Sequence, residues 1–269
     1  MGIFLRVLAP LTLLLALASP ALAEDKIRKP SPRLHLPLTL GLITAYTLVE
    51  GPFKGPLSAD ACRWCASNAF DTSLRDTFLW SDVHRARSFS NLTGYISAPA
   101  FAVGGTALLA SLSGTPRNVY DDTLIIAESA ALASITNYLL KATFARERPF
   151  VHALPPAEKP LTPSPQDNNQ SFYSGHAALS MSLAVSAGTV AHLRGYRHTR
   201  PLLLTGVTLS LATGYFRIAG DKHWSSDVIT GWALGAAFGY AVPVLFHQRR
   251  GSQLTPIVSG SSVGLAGRW

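Results

Sequence analysis

Hydrophobic and polar positions divide the chain into a short apolar opening, a mixed stretch, and five long apolar runs joined by polar, basic segments. The runs are Leu92 to Leu112, Leu124 to Leu140, Ala177 to Leu193, Leu202 to Phe216 and Val228 to Phe246, and Glu128 is the one charged residue inside any of them. They are rich in Ala, Leu, Gly and Ser and lack the polar face of a surface helix, so each predicts a helix that is buried on all sides or that meets lipid. Membrane embedding fits this pattern better than a soluble bundle does. Ahead of them, Leu34 to Val49 is apolar but short for a bilayer span and carries Pro37 near its start, which predicts a buried or interfacial helix, the alternative being a crossing. Asp71 to Arg87 can form a helix with a polar face. The expected fold class is all-α, a membrane-embedded bundle of about six helices.

The opening run sets a boundary of its own. Arg6 precedes apolar Val7 to Ala18, and Ala21 and Ala23 fit the small-residue rule for cleavage. Residues 1–23 therefore read as a signal peptide with a mature start at Glu24, the alternative being an uncleaved first membrane helix. Residues 24–90 form a linker and an N-terminal helical region, residues 91–250 the main helical domain, and residues 251–269 a Gly- and Ser-rich tail. The tail reads as loose, with a weak apolar alternation that admits a short strand.

Composition narrows the classes. With 48% hydrophobic and 14% charged residues the chain is not a disordered or solvating protein. Its 23 Lys and Arg against 15 Asp and Glu give a net charge of +8, which suits an anionic partner: phosphate, phospholipid or nucleic acid. The basic group Arg194, Arg197, His198 and Arg200 has only Tyr196 among it, and reads as a cytoplasmic membrane flank, not as a nucleic-acid site. Two cysteines exclude a four-cysteine zinc site, and Cys62 and Cys65 read as a structural pair ahead of a redox centre, a local disulfide being one arrangement. His84, His152, His192, His198 and His247 read as surface or boundary residues.

Three clusters put cations and histidines at the ends of apolar helices, where an idle charge is costly. In the first, Lys141 and Arg148 lie seven residues apart. Two helical turns would place both on one face, able to share an oxyanion, with Pro149 closing the segment; the alternative is a basic flank that snorkels to the membrane edge. In the second, Ser174, Gly175 and His176 stand before Ala177, so backbone amides at a helix N-terminus can bind an anion and His176 can donate a proton to a departing oxygen. Ser174 as a plain N-cap is the simpler alternative. In the third, Arg217 adds a cation, and His223 and Asp227 are four apart. Asp227 can then accept from one ring nitrogen and leave the other free as a nucleophile, unless Asp227 merely caps the helix and His223 is an exposed loop residue.

In order and spacing these clusters closely resemble the signature of the type 2 phosphatidic acid phosphatase superfamily, which holds lipid phosphatases, bacterial class A acid phosphatases and vanadium haloperoxidases. Lys141, Arg148-Pro149, Ser174-Gly175-His176, Arg217, His223 and Asp227 match it; Tyr173 stands where the signature has proline, which shapes the loop, and Phe216 where it has serine, which can touch the anion. The resemblance implies a phosphatase acting on a phosphomonoester or pyrophosphate, most naturally of a lipid. In it His223 would form a phosphohistidine, Asp227 would hold the tautomer and His176 would serve as acid and then base. Lys141, Arg148, Ser174, Gly175 and Arg217 would hold the phosphoryl oxygens. It implies no metal or other cofactor, because three fixed cations take the electrostatic role of Mg²⁺ in kinases.

The partners expected are thus a phosphorylated lipid or other phosphate ester and the membrane, with no nucleic acid. Other readings are a soluble exported acid phosphatase, a vanadium-dependent haloperoxidase and a non-catalytic binder of anionic lipid. The basic residues Arg117, Arg194, Arg197, Arg200, Arg249 and Arg250 fall on the side opposite the signature, so the expected location is a bacterial-type inner membrane with the site facing the periplasm or exterior. With a cleaved signal, an outward site also requires that Leu34 to Val49 not cross the bilayer.

Overall fold

Prolines and short polar side chains set the helix starts along this chain. The computed structural model describes residues 25–249 and the backbone of 254–259 and 262–267; the signal-peptide reading of residues 1–23 lies outside the described residues. Helix α1 (Pro32–Glu50) begins with a proline in its first turn and takes Pro37 within it. Asn68 caps α2 (Ala69–Phe78) by accepting from the Asp71 amide, and Asp82 caps α3 (Val83–Asn91) through the Arg85 amide. The polar stretch expected as one helix from Asp71 to Arg87 is therefore two, broken at 79–82 where Asp82 supplies a fresh cap. A π-helical turn, Leu92–Ser97, joins α3 to α4 (Ala98–Leu112). Then follow α5 (Val119–Phe144), α6 (Gly175–Leu193), α7 (Thr199–Ala219) and α8 (Ser225–Val242), the last continued by a π turn, Pro243–His247.

The architecture is an all-α bundle, with one antiparallel hairpin, Leu254–Ser259 with Ser262–Gly267, where the tail alternates. Helix α6 is its axis. Ala, Ser and Gly fill α6, nearly every one of its side chains is buried, and it packs most extensively on α8, α7, α5 and α4. Glycine makes the α6–α8 contact possible: a Cβ on Gly231 would sit 2.6 Å from the Ser174 carbonyl oxygen, and one on Gly235 2.4 Å from that of Ala178. Small residues at four-residue spacing let helix backbones approach this closely.

Among the described residues, four helical stretches are long and apolar enough to cross a membrane: Val83–Leu112, Pro116–Phe144, Thr199–Ala219 and Ser225–His247. The outer surface of the bundle exposes Leu34, Ile96, Leu108, Leu139, Leu204 and Phe246, large apolar side chains that a soluble helix would turn inward.

His35, near the start of α1, lies against Glu128, and Glu50, its last residue, against Lys141, so α1 runs beside α5 in the same direction for its whole length, about 28 Å at 1.5 Å per residue. Pro37 near its start does not interrupt the helix, and α1 is not one of the four stretches long and apolar enough to cross a membrane. Residues 26–28 sit at the end of the bundle remote from Lys141: the Lys26 amide donates to the Leu193 carbonyl, the Arg28 amide to that of His247, and Ile27 bridges to Gln248. At that end Arg194 is buried, not a solvated flank, because its Nε donates to Asp122 Oδ1 at 2.8 Å and its Nη1 to Asp25. His247 is likewise buried, held against Glu128.

Candidate active site

Helix α5 delivers Lys141 in its last turns and ends at Phe144, where Ala145 takes a left-handed conformation, φ 41°. Arg148 therefore does not share a helical face with Lys141, as seven-residue spacing had predicted. The turn at Ala145 swings the next residues back over the bundle end, and Pro149 opens a new single turn instead of closing the old one. Arg148 is fixed from below, with Nε donating to the Asp167 carbonyl at 2.7 Å and Nη1 to that of Lys222 at 3.0 Å.

The segment before α6 forms the floor. Asn137 Nδ2 donates to the Tyr173 carbonyl at 2.7 Å, and the Ser174 amide donates to the Asp227 carbonyl at 3.0 Å. Ser174 Oγ caps nothing and is buried with no partner. Gly175 has a packing reason, since a Cβ there would lie 2.7 Å from Asn137 Oδ1 and 3.6 Å from Lys141 Nζ. Tyr173, assigned by sequence to loop shape, is a core residue: its ring is fully buried and its hydroxyl reaches only to the Ala133 carbonyl at 3.4 Å.

The two histidines differ in how they are held. His176 lies 2.9 Å from Asn91 Oδ1 through Nε2, and its ring stacks on Tyr95 with centroids 4.2 Å apart. His223 follows the left-handed Asp221 in the loop between α7 and α8, and its Nδ1 lies 2.8 Å from the Ser171 carbonyl oxygen. A carbonyl can only accept, so Nδ1 carries the hydrogen and Nε2 keeps its lone pair.

Asp227 is not the direct partner expected from i, i+4 spacing, since its Oδ2 is 3.8 Å from His223 Nδ1. That oxygen is already taken by Ser171 Oγ at 2.5 Å and the Trp224 amide at 3.0 Å, while Oδ1 accepts from Arg146 Nη1 at 2.5 Å. Asp227 thus holds Ser171, and Ser171 holds the histidine. Arg146 is fully buried here. It also donates to Asp71 Oδ2 at 2.7 Å and stacks on Trp64 at 4.0 Å, next to the Cys62–Cys65 disulfide. Its partner Asp71 lies 75 residues away, beyond the reach of local pattern.

One cavity of about 280 Å³ collects Lys141, Arg148, Gly175, His176, Arg217 and His223. Ser174 and Asp227 lie behind its wall. Arg217, at the end of α7, donates from Nη1 to Ser90 Oγ at 3.1 Å and keeps a buried Nε without a partner. The opposite wall comes from the stretch the sequence left without chemistry: Tyr46, Glu50, Lys54, Arg87, Asn91 and Tyr95. Glu50 accepts from Lys141 at 3.1 Å and Lys54 at 2.9 Å, and Lys54 pairs with Asp167 at 2.6 Å. The criterion that flagged the other clusters, a charge at the end of an apolar run, applies equally to Glu50.

The cavity wall counts six cationic side chains, Lys54, Arg87, Lys141, Arg148, Arg217 and Lys222, against two carboxylates, Glu50 and Asp167. Burial, then Arg148, Arg217 and Lys141, push His223 well below its ordinary value, so it is neutral at pH 7. Burial and the nearby Arg148 and Arg87 bring Lys222 down to about 7. Glu50 goes the other way from what burial alone would do: Lys141 and Lys54 hold it at about 2. The arrangement can seat a multiply charged oxyanion against a neutral imidazole lone pair, with a second imidazole in the same cavity.

The family model described as PAP2 superfamily matches residues 122–251. Among solved structures, the chain is similar to the first transmembrane PAP2 type phosphatidylglycerolphosphate phosphatase from Bacillus subtilis, at 14% identity and a TM-score of 0.47, covering 78% of this chain and 94% of that one.

Proposed function

We propose, from the match of residues 122–251 to the PAP2 superfamily model, that this protein is a membrane phosphatase that hydrolyses a phosphomonoester or diphosphate ester of a lipid through a phosphohistidine. The observation that carries the reading is His223, neutral and with Nδ1 tied to Ser171, facing a cavity with Lys141, Arg148 and Arg217. In this mechanism His223 Nε2 attacks phosphorus in line and the ester P–O bond breaks. His176 protonates the leaving oxygen, then takes a proton from the water that cleaves the P–N bond. Lys141, Arg148, Arg217 and the amides around Gly175 offset charge on the equatorial oxygens. No step calls on a metal ion. The lipid character of the substrate is supported by the apolar outer surface and by helix ends that open the cavity at one face of the bundle.

The end remote from the site carries Arg28, Arg117, Arg194 and Arg249 and both described chain ends, so it faces the cytoplasm and the site faces outward. The described chain begins at that end, so Asp25 lies on the cytoplasmic side in this topology. A mature N-terminus at Glu24 would refute this topology and favour a soluble exported protein.

The test of the chemistry is rapid quench with ³²P-labelled phosphatidic acid, phosphatidylglycerophosphate and polyprenyl pyrophosphate. An acid-labile labelled protein is expected from the wild type and not from His223→Ala, and vanadate should compete with substrate. Substantial turnover by His223→Ala would refute the covalent route.

A further inference from the structure

We propose that His35, Glu128 and His247 form a binding site for a zinc-class divalent metal ion at the end of the bundle remote from the candidate active site. Their donor atoms lie within 4.8 Å of one another. His35 Nδ1 is 3.2 Å from Glu128 Oε2 and His247 Nε2 is 2.9 Å from the same oxygen, with the two rings 4.7 Å apart between centroids. Metal bonds of 2.0–2.1 Å in a tetrahedron put neighbouring ligand atoms about 3.3 Å apart, so these separations need only small adjustment to take an ion.

The chemistry of the set is selective. Two imidazoles and one carboxylate suit Zn²⁺ and its neighbours, whereas Mg²⁺ and Ca²⁺ prefer oxygen throughout. Burial argues in the same direction. Glu128 is the only charged residue within the five apolar runs, its side chain is 4% exposed, that of His247 is 1% exposed, and such a carboxylate demands compensation. The side chain of His35, at 18%, leaves a route of entry.

The three ligands come from the start of α1, the middle of α5 and the end of α8, so an ion would clip three separate segments together. Glu128 precedes Lys141 by thirteen residues on one helix, which places the ion about 20 Å from the candidate phosphate site. Its loss should lower thermal stability and leave the initial rate of hydrolysis unchanged.

The experiment uses full-length protein in detergent, stripped of metal and titrated with Zn²⁺ alone, then with Co²⁺ alone. One Zn²⁺ per chain, visible absorption of tetrahedral Co²⁺ and a raised thermal midpoint are expected. Glu128→Gln and His35→Ala should each weaken binding by more than about a hundredfold, and His223→Ala should bind as the wild type does. Should Glu128→Gln fail to fold, His35→Ala, at the partly exposed position, gives the same reading. Equal Zn²⁺ retention by wild type and His35→Ala, or no stoichiometric Zn²⁺ in the wild type, would overturn the proposal and leave a hydrogen-bonded His–Glu–His triad.

Discussion

Glu50 pairs at 3.1 Å with Lys141, a cation proposed above to hold a phosphoryl oxygen, and Glu50→Gln should therefore tighten anion binding. Its carboxyl is held at about 2 against an ordinary value of 4.5, with burial opposing the shift and Lys141 and Lys54 driving it. At about 1.4 kcal/mol per pH unit the net shift is about 3 kcal/mol, a floor for the attraction shared between the two lysines because burial works against it. Freeing Lys141 alone then yields about 1.5 kcal/mol, a factor of about ten in affinity. Glutamine keeps the shape and can still accept from Lys54, so α1 should stay docked. The assay is the inhibition constant of orthovanadate at pH 7, together with KM. Both are expected to fall about tenfold, with kcat within a factor of about three. An unchanged or raised inhibition constant would show that Glu50 orients Lys141 for the anion and does not compete with it.

Three other outcomes follow from the geometry. Lys222, at about 7, gains its charge as pH falls, so the ratio of vanadate inhibition constants between Lys222→Gln and wild type should rise from near one above pH 8 to about ten below pH 6; a flat ratio would mean that Lys222 does not face the anion. Asp227→Asn leaves the Ser171 carbonyl on His223, so it should cost about 3 kcal/mol of stability by unbalancing buried Arg146, seen in denaturant unfolding, while kcat falls less than about a hundredfold; a loss near 10⁴ in a stable protein would mean a direct hold on the tautomer. Tyr173→Pro empties a fully buried site and should lower stability by about 3 kcal/mol, whereas Tyr173→Phe, losing only a 3.4 Å contact, should cost less than about 1, both read by thermal unfolding.

Much of the fold is legible because long runs without charge have few ways to bury themselves, and five of them predict the bundle directly. The boundary at Ala145 is not legible: an alanine in a left-handed turn leaves no mark of the kind glycine would. The signature residues carry their own spacing, so one cavity could be anticipated for Lys141, His176 and His223. The partner of His223 could not, because a backbone carbonyl has no letter in the sequence. Glu50, Lys54 and Asn91 escaped for a related reason. Each is an ordinary polar residue at a helix end, and only the course of α1 past α5 and of α3 past α7 brings this stretch to the cavity.

The cavity's two walls come from different stretches of chain. Lys141, Arg148, His176, Arg217 and His223 all lie within residues 122–251, whereas Tyr46, Glu50, Lys54, Arg87, Asn91 and Tyr95 all precede them. Under the proposed function, the groups assigned to the reaction and the wall that faces them can then vary separately under mutation. A lineage could rebuild its first hundred residues to admit a new head group while leaving the histidines and their cations untouched. In an engineered chimera, the incoming head should bring its own substrate preference to an unchanged chemical step.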